Sequence, residues 1–160
     1  MNFVVFGIDH RMQASGADFE ALLRAWLDKT YFEPLESIAE EYPENIAPST
    51  ARRLATERGL RWFNVDMSTD EKHRAGILAE QKSRPISEGS IAFRLPSDDL
   101  REAAWVDKLV GYGSPTTIVI CGYLHFAPLV RTLRAAGHTV DARAYLETVP
   151  EIRLVRVSST

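Results

Sequence analysis

The feature that most constrains this chain is the run Thr-Thr-Ile-Val-Ile-Cys at 116–121, which leads into Gly122-Tyr123-Leu124-His125. The run is short, β-branched and free of charge, as in a strand covered on both faces of a parallel sheet. Beyond it, Phe126, Leu129, Val130 and Leu133 recur at helical spacing. Pro128 suits a first helical turn and Gly137 a residue just past a helix end. His125 is therefore expected in a strand-to-helix turn, at the carboxyl end of a buried strand. The chain opens in the same way, with the apolar run 3–6 followed by Gly7-Ile8-Asp9-His10. Ligands of open α/β sheets bind outside the carboxyl ends of the strands. Two G-x-x-H turns at equivalent places, in a chain with 4 histidines, mark that end as the place to look.

Other segments fill out an alternating pattern. Ser15 is expected to cap a helix whose apolar stripe is Phe19, Leu22, Leu23, Trp26 and Leu27. A second strand is expected over 35–40, ending in the carboxylates Glu40 and Glu41. A helix from Ser49 or Thr50 to Arg58 follows, with Ala51, Leu54 and Ala55 inward and Gly59 at its end. Residues 60–66 read as a third strand ending in Asp66, which is either a rim group or an ordinary helix cap. Residues 67–96 are broken up by Gly76, Pro85, Gly89 and Pro96 and read as an insertion or lid, with a weak helix over 69–82. Ser97 with Asp98 and Asp99 announces a helix to about Val110, its packed side being Leu100, Ala103, Val106, Leu109 and Val110. Arg101 and Trp105, four apart, share another side of it. Strands over 138–145 and, at an edge, 152–157 complete the pattern. Alternating strand and helix patterns predict one compact α/β domain with a mostly parallel sheet.

Composition narrows the function. A formal charge of −3 gives no basic stripe for nucleic acid. No apolar stretch reaches the length of a membrane span, and the first run is too short, and lacks the basic flank, for a signal peptide. One cysteine excludes an internal disulfide and fits a reducing cytoplasm. A small molecule or peptide is the expected partner.

The residues Gly7 to His10, Glu40-Glu41, Arg101 to Trp105 and Gly122 to His125 follow one another in an order that resembles the TraB/Tiki/ChaN-like superfamily. That superfamily also includes erythromycin esterases. The resemblance implies an α/β domain with a site at the strand ends. It leaves open a metal-dependent peptidase, a haem-binding protein or a metal-independent esterase.

The residue types support two chemistries, and a metal-dependent hydrolase is the expected one. His10, His125 and Glu40 would make a first shell for Zn²⁺, Mn²⁺ or Fe²⁺, whose bound water attacks an ester, amide or peptide. Arg101 would then stabilise the developing oxyanion or hold a carboxylate, with Trp105 behind it. Glu40 is preferred to Glu41, since neighbours in a strand face opposite sides. Gly7 and Gly122 would allow tight turns and close approach by a substrate. Without a metal, one histidine serves as general base, oriented by Glu40 or Glu41. Cys121 lies inside an apolar run, where a buried inert thiol is the usual case. A module that binds a ligand or metal without turnover is the remaining class.

Overall fold

In the computed structural model of the chain, the two apolar runs lie side by side. The structure describes residues 1–10, 12–13, 17–28, 34–43, 47–82, 84–85, 91–144 and 153–156, with backbone alone for 91–92, 144 and 153–156. Ser15 and Gly89 lie outside the described residues, as do the outer ends of the expected strands 138–145 and 152–157.

Strand β1 (Asn2–Ile8) pairs in parallel with β5 (Thr116–Gly122), Gly7 opposite Cys121 and Ile8 opposite Gly122. Around them stand β2 (Ser37–Glu40), β3 (Arg61–Asn64) and β6 (Thr139–Ala144). The order is β3-β2-β5-β1-β6, all parallel. Every residue of β5, and all of β1 but Asn2, is buried, which is why both runs are apolar without alternation. β2 is also wholly buried although it carries Ser37, whose hydroxyl pairs with Thr117 Oγ1 at 2.8 Å and Ser114 Oγ at 3.0 Å.

Alternation divides the core in two. Val4, Phe6, Ile8, Ile38, Ile118 and Ile120 face helices α1 (Ala17–Asp28) and α2 (Thr50–Glu57). Phe3, Val5, Ala39, Val119 and Cys121 face α5 (Pro96–Tyr112) and α6 (Tyr123–Ala135). The connections after β1 and β2 run one way along the sheet and those into and out of β5 run the other. Right-handed crossovers put the two sets on opposite faces. β5 thus leaves towards one layer while both its neighbours leave towards the other. This is the switch point at which open α/β sheets hold ligands.

Between β3 and α5 lie α3 (Thr69–Arg74), α4 (Ile77–Lys82) and β4 (Ile91–Arg94). The helix expected over 69–82 is two helices, parted at Gly76, whose φ is +71°. Asp66 is not the cap of α3. Ser68 takes that place, with a reciprocal bond to Glu71. The sequence gives no sign of β4, which pairs with β7 (Arg153–Arg156) as a separate two-stranded sheet, so β7 does not edge the main sheet.

Two helices depart from expectation. α5 begins one residue before Ser97, because Pro96 lacks the N–H that a first helical position leaves unused. Asp98 then accepts the Leu95 N–H at 2.8 Å. The helix also presents another side to the sheet: Ser97, Asp98, Arg101, Glu102, Trp105 and Leu109 are buried, whereas Leu100 is 56% exposed. Its buried charges have partners in the sheet and in residues 67–96, and those pairings outweigh what burying Leu100 or Val110 would give. α6 begins directly at Tyr123, so His125 lies in its first turn and Pro128 in its interior. Proline there supplies no N–H to the Leu124 carbonyl. Arg94 Nη1 donates to that carbonyl instead, at 2.9 Å.

The motif glycines are contact points. A Cβ on Gly7 would lie 2.8 Å from Phe126 Cγ, and one on Gly122 would lie 2.4 Å from His10 Nε2. Gly122 has φ −64°, which any residue adopts, so closeness and not a turn requires glycine there. The approaching group is His10 of the first motif at Gly122 and Phe126, the residue after the second motif, at Gly7, in place of the expected substrate. Gly7→Ala pushes on the root of Phe126 and is expected to cost about 1–3 kcal/mol. Gly122→Ala pushes only on a half-exposed ring and should stay within about 1 kcal/mol of the parent. Urea midpoints of the two variants test this ordering, and equal losses would refute it.

Candidate functional site

Glu41 continues β2 by one ladder bond, its N–H reaching the Ile120 carbonyl at 2.8 Å. It shares the face of Ala39, and so looks towards α5 and α6. One carboxylate oxygen, Oε2, accepts the Gly122 N–H at 2.9 Å and stands 3.5 Å from His10 Nε2. The other, Oε1, accepts Arg101 Nη2 at 2.6 Å and stands 3.7 Å from His125 Nε2. Glu41 therefore bridges both G-x-x-H motifs.

Glu40 points to the opposite face. Its carboxylate accepts from Ser49, from Trp62 Nε1 at 3.0 Å and from Gln13 Nε2 at 2.9 Å. The expected preference for Glu40 is thus reversed. Alternation does separate the two acids, but Arg101 and His125 arrive from the α5/α6 layer, which is the side of Glu41. Burial raises the Glu40 carboxyl above its ordinary range, and the bonds from Ser49, Trp62 and Gln13 oppose that rise only in part.

Arg101 spends its donors on three groups. Nε and Nη2 hold Asp66 at 3.0 and 2.9 Å, Nη2 also holds Glu41, and Nη1 reaches His125 Nε2 at 3.1 Å. Trp105 lies behind it, with Arg101 Cζ 5.1 Å from the ring centroid. The indole N–H also donates to Asp66, at 3.1 Å, and Lys72 binds the same carboxylate. Burial alone would raise Asp66, but the charges and hydrogen bonds of Arg101 and Lys72 outweigh it and hold the carboxyl below its usual range. Both members of the Arg101–Trp105 pair are buried, so they are no surface pair. With its guanidinium committed in this way, Arg101 holds the expected carboxylate and is not disposed to stabilise an oxyanion.

The two histidines differ. His125 is buried, and both ring nitrogens are engaged: Nε2 with Arg101, and Nδ1 with Glu102 Oε1 at 2.8 Å. An arginine donates only, so Nε2 carries the lone pair and Nδ1 the hydrogen. Glu102 is itself held by Arg94, at 2.8 and 2.9 Å. The side chain of His10 is 49% exposed, and its Nδ1 lies 2.7 Å from Gln13 Oε1. Sequence reasoning missed Gln13, Arg94 and Glu102. Gln13 belongs to no motif, and Glu102 stands beside Arg101 on a helix whose buried side was expected elsewhere.

This donor set does not fit the expected metal shell. His125 has no nitrogen to spare, and a permanent cation, Arg101, stands where a second cation would have to sit. Among the described residues no three His, Cys, Asp or Glu side chains group as metal ligands. Cys121 is fully buried, and burial, followed by the nearby Glu41 and Glu102 charges, pushes its thiol well up, so it supplies no thiolate. Among the described residues no helix is long and apolar enough to cross a membrane. No family model, curated protein or solved structure matches the chain.

Arg101→Ala leaves Asp66 and Glu41 buried without their main cation and is expected to cost about 3–5 kcal/mol. Asp66 binds its proton more weakly in the folded chain than in the unfolded one. Its pairing therefore stabilises above the ordinary carboxylate range and is lost as the pH falls below it. Glu40 has the opposite sign: its contribution is present in acid and is lost as the pH rises through its raised value. Asp66→Asn should lower the urea midpoint at about pH 7 and flatten the acid limb of stability towards about pH 3. An acid limb as steep as the parent's would count against this assignment.

Proposed function

We propose that the protein is a hydrolase that works without a metal, with His10 as general base, on a small ester, amide or peptide. The observation that carries this reading is the seat of His10. Its ring lies on Gly122, at the amino end of α6, with Nε2 facing Glu41. Its N-cap residue, Gly122, has no side chain with which to cap it, and the Gly122 N–H goes to Glu41. A helix start leaves amide N–H groups without intrahelical partners and carries partial positive charge.

A base and a set of fixed dipoles thus adjoin at the switch point. His10 takes a proton from water, and the hydroxide attacks the substrate carbonyl carbon. The imidazolium is then flanked by Glu41 and by the Gln13 carbonyl. The tetrahedral oxyanion lies against the first turn of α6, in the manner of an oxyanion hole. As the intermediate collapses, His10 returns the proton to the leaving oxygen or nitrogen, so that an acid and an alcohol or amine depart. Glu41 is kept in place by Arg101 and Gly122, and His125 by Arg101 and Glu102. The order of the motifs, which resembles a superfamily containing metal-independent esterases, agrees with this chemistry.

Hydrolysis of short-chain nitrophenyl esters and anilides by the full chain is the test. Turnover is expected to persist in a chelator and to fall about 10²- to 10⁴-fold in His10→Ala. Turnover abolished by the chelator and restored by Zn²⁺, Mn²⁺ or Fe²⁺ would overturn the metal-free reading. No turnover across the panel would remove the hydrolase reading altogether.

A further inference from the structure

We infer that Gln13 is a positioning residue that sets the tautomer of His10, keeping the hydrogen on Nδ1 and leaving Nε2 as the basic nitrogen. The inference rests on the proposed role of His10 but makes a claim that needs no turnover. Gln13 is buried, and its amide has two possible orientations. Its nitrogen lies 2.9 Å from the backbone carbonyl of Glu41 and 2.9 Å from Glu40 Oε1. The first of these has no hydrogen to give, and the second is a carboxylate oxygen. Reversing the amide would set its oxygen against two oxygens and bury a repulsion. The NH₂ group is therefore fixed on the Glu40–Glu41 side, and Oε1 faces His10 Nδ1 at 2.7 Å. An amide oxygen can only accept, so Nδ1 must donate.

The neutral ring then has its lone pair on Nε2, the atom nearest Gly122 and Glu41. The alternative tautomer would point an Nε2–H at the Glu41 carboxylate and leave no base at the start of α6. Glu41 favours that inactive tautomer, and Gln13 opposes it. Glu40 acts here through Gln13: it anchors the amide and does not touch His10. Consecutive residues of one strand end thus divide the work, Glu41 towards the imidazole ring and Glu40 towards the amide that orients it.

The test is the ¹⁵N–¹H long-range correlation spectrum of the imidazoles in the full-length protein above the titration of its histidines. His10 is assigned by its loss in His10→Gln. The parent is expected to show His10 with a protonated Nδ1 and an unprotonated Nε2. Gln13→Met keeps the bulk but has no acceptor, and is expected to move the hydrogen to Nε2. In the ester assay its kcat should fall about 10²-fold or more, with KM little changed. An Nε2–H ring in the parent, or an unchanged Nδ1–H ring in folded Gln13→Met, overturns the inference. If Gln13→Met does not fold, the parent spectrum decides. The spectra hold or fail whether or not any ester is cleaved, which keeps this inference separable from the hydrolase reading.

Discussion

The carboxyl end of the sheet depends on one buried cation. Arg101 comes from α5, yet it holds the ends of two strands: Glu41 beyond β2 and Asp66 beyond β3. A guanidinium suits this place because its charge is permanent and its donors are spread in a plane. Two of them grip Asp66 side by side, and the others reach Glu41 and His125. Taking these groups out of water is costly, and their mutual attraction repays it only where nearly every lone pair has a donor. That condition explains the company around Asp66. Lys72, Trp105 and the Met67 N–H take up its remaining acceptor capacity.

The two G-x-x-H motifs form one device. They end adjacent strands one register step apart, so their glycines open on opposite faces of the sheet. The chain after β1 turns to the α1 side and lays His10 on Gly122. The chain after β5 turns to the α6 side and lays Phe126 on Gly7. Each glycine is the space the other motif needs. The histidines have separated in role accordingly. His125 is locked into the ion network, while His10 is half in water with one nitrogen turned to the rim.

The α/β architecture and six of the strands were legible, the two central ones because buried parallel strands are apolar without alternation, as at 3–6 and 116–121. The grouping of His10, Glu41 and His125 was legible from repetition of the motif and from strand ends, and Arg101 was singled out by its spacing with Trp105 and by the order of the motifs. Which acid faces the site was not. Deciding between Glu40 and Glu41 needs the face on which α5 and α6 lie, and that follows from strand order, which no local pattern records. The buried side of α5 misled for a related reason. Apolar spacing points to Leu100 and Val110, but the helix buries the charges that find partners, and such partners lie up to 60 residues away, as Glu41 does from Arg101. Gln13 had no local sign at all, since its meaning comes from Glu40 and Glu41.

Pro128 shows how far the support of the site extends. A proline inside α6 is unfavourable by itself, because it strands the Leu124 carbonyl in a partly buried first turn. Arg94, at the end of β4, supplies the missing donor. The same guanidinium holds both oxygens of Glu102, and Glu102 holds Nδ1 of His125. Thus the proline makes an acceptor, the acceptor fixes an arginine, and the arginine fixes the carboxylate that sets the tautomer of His125. With Nδ1 protonated in this way, Nε2 is free to accept from Arg101, which turns its remaining donors to Glu41 and Asp66. Residues 67–96, which carry Lys72 and Arg94, therefore brace the carboxyl end of the sheet through charge.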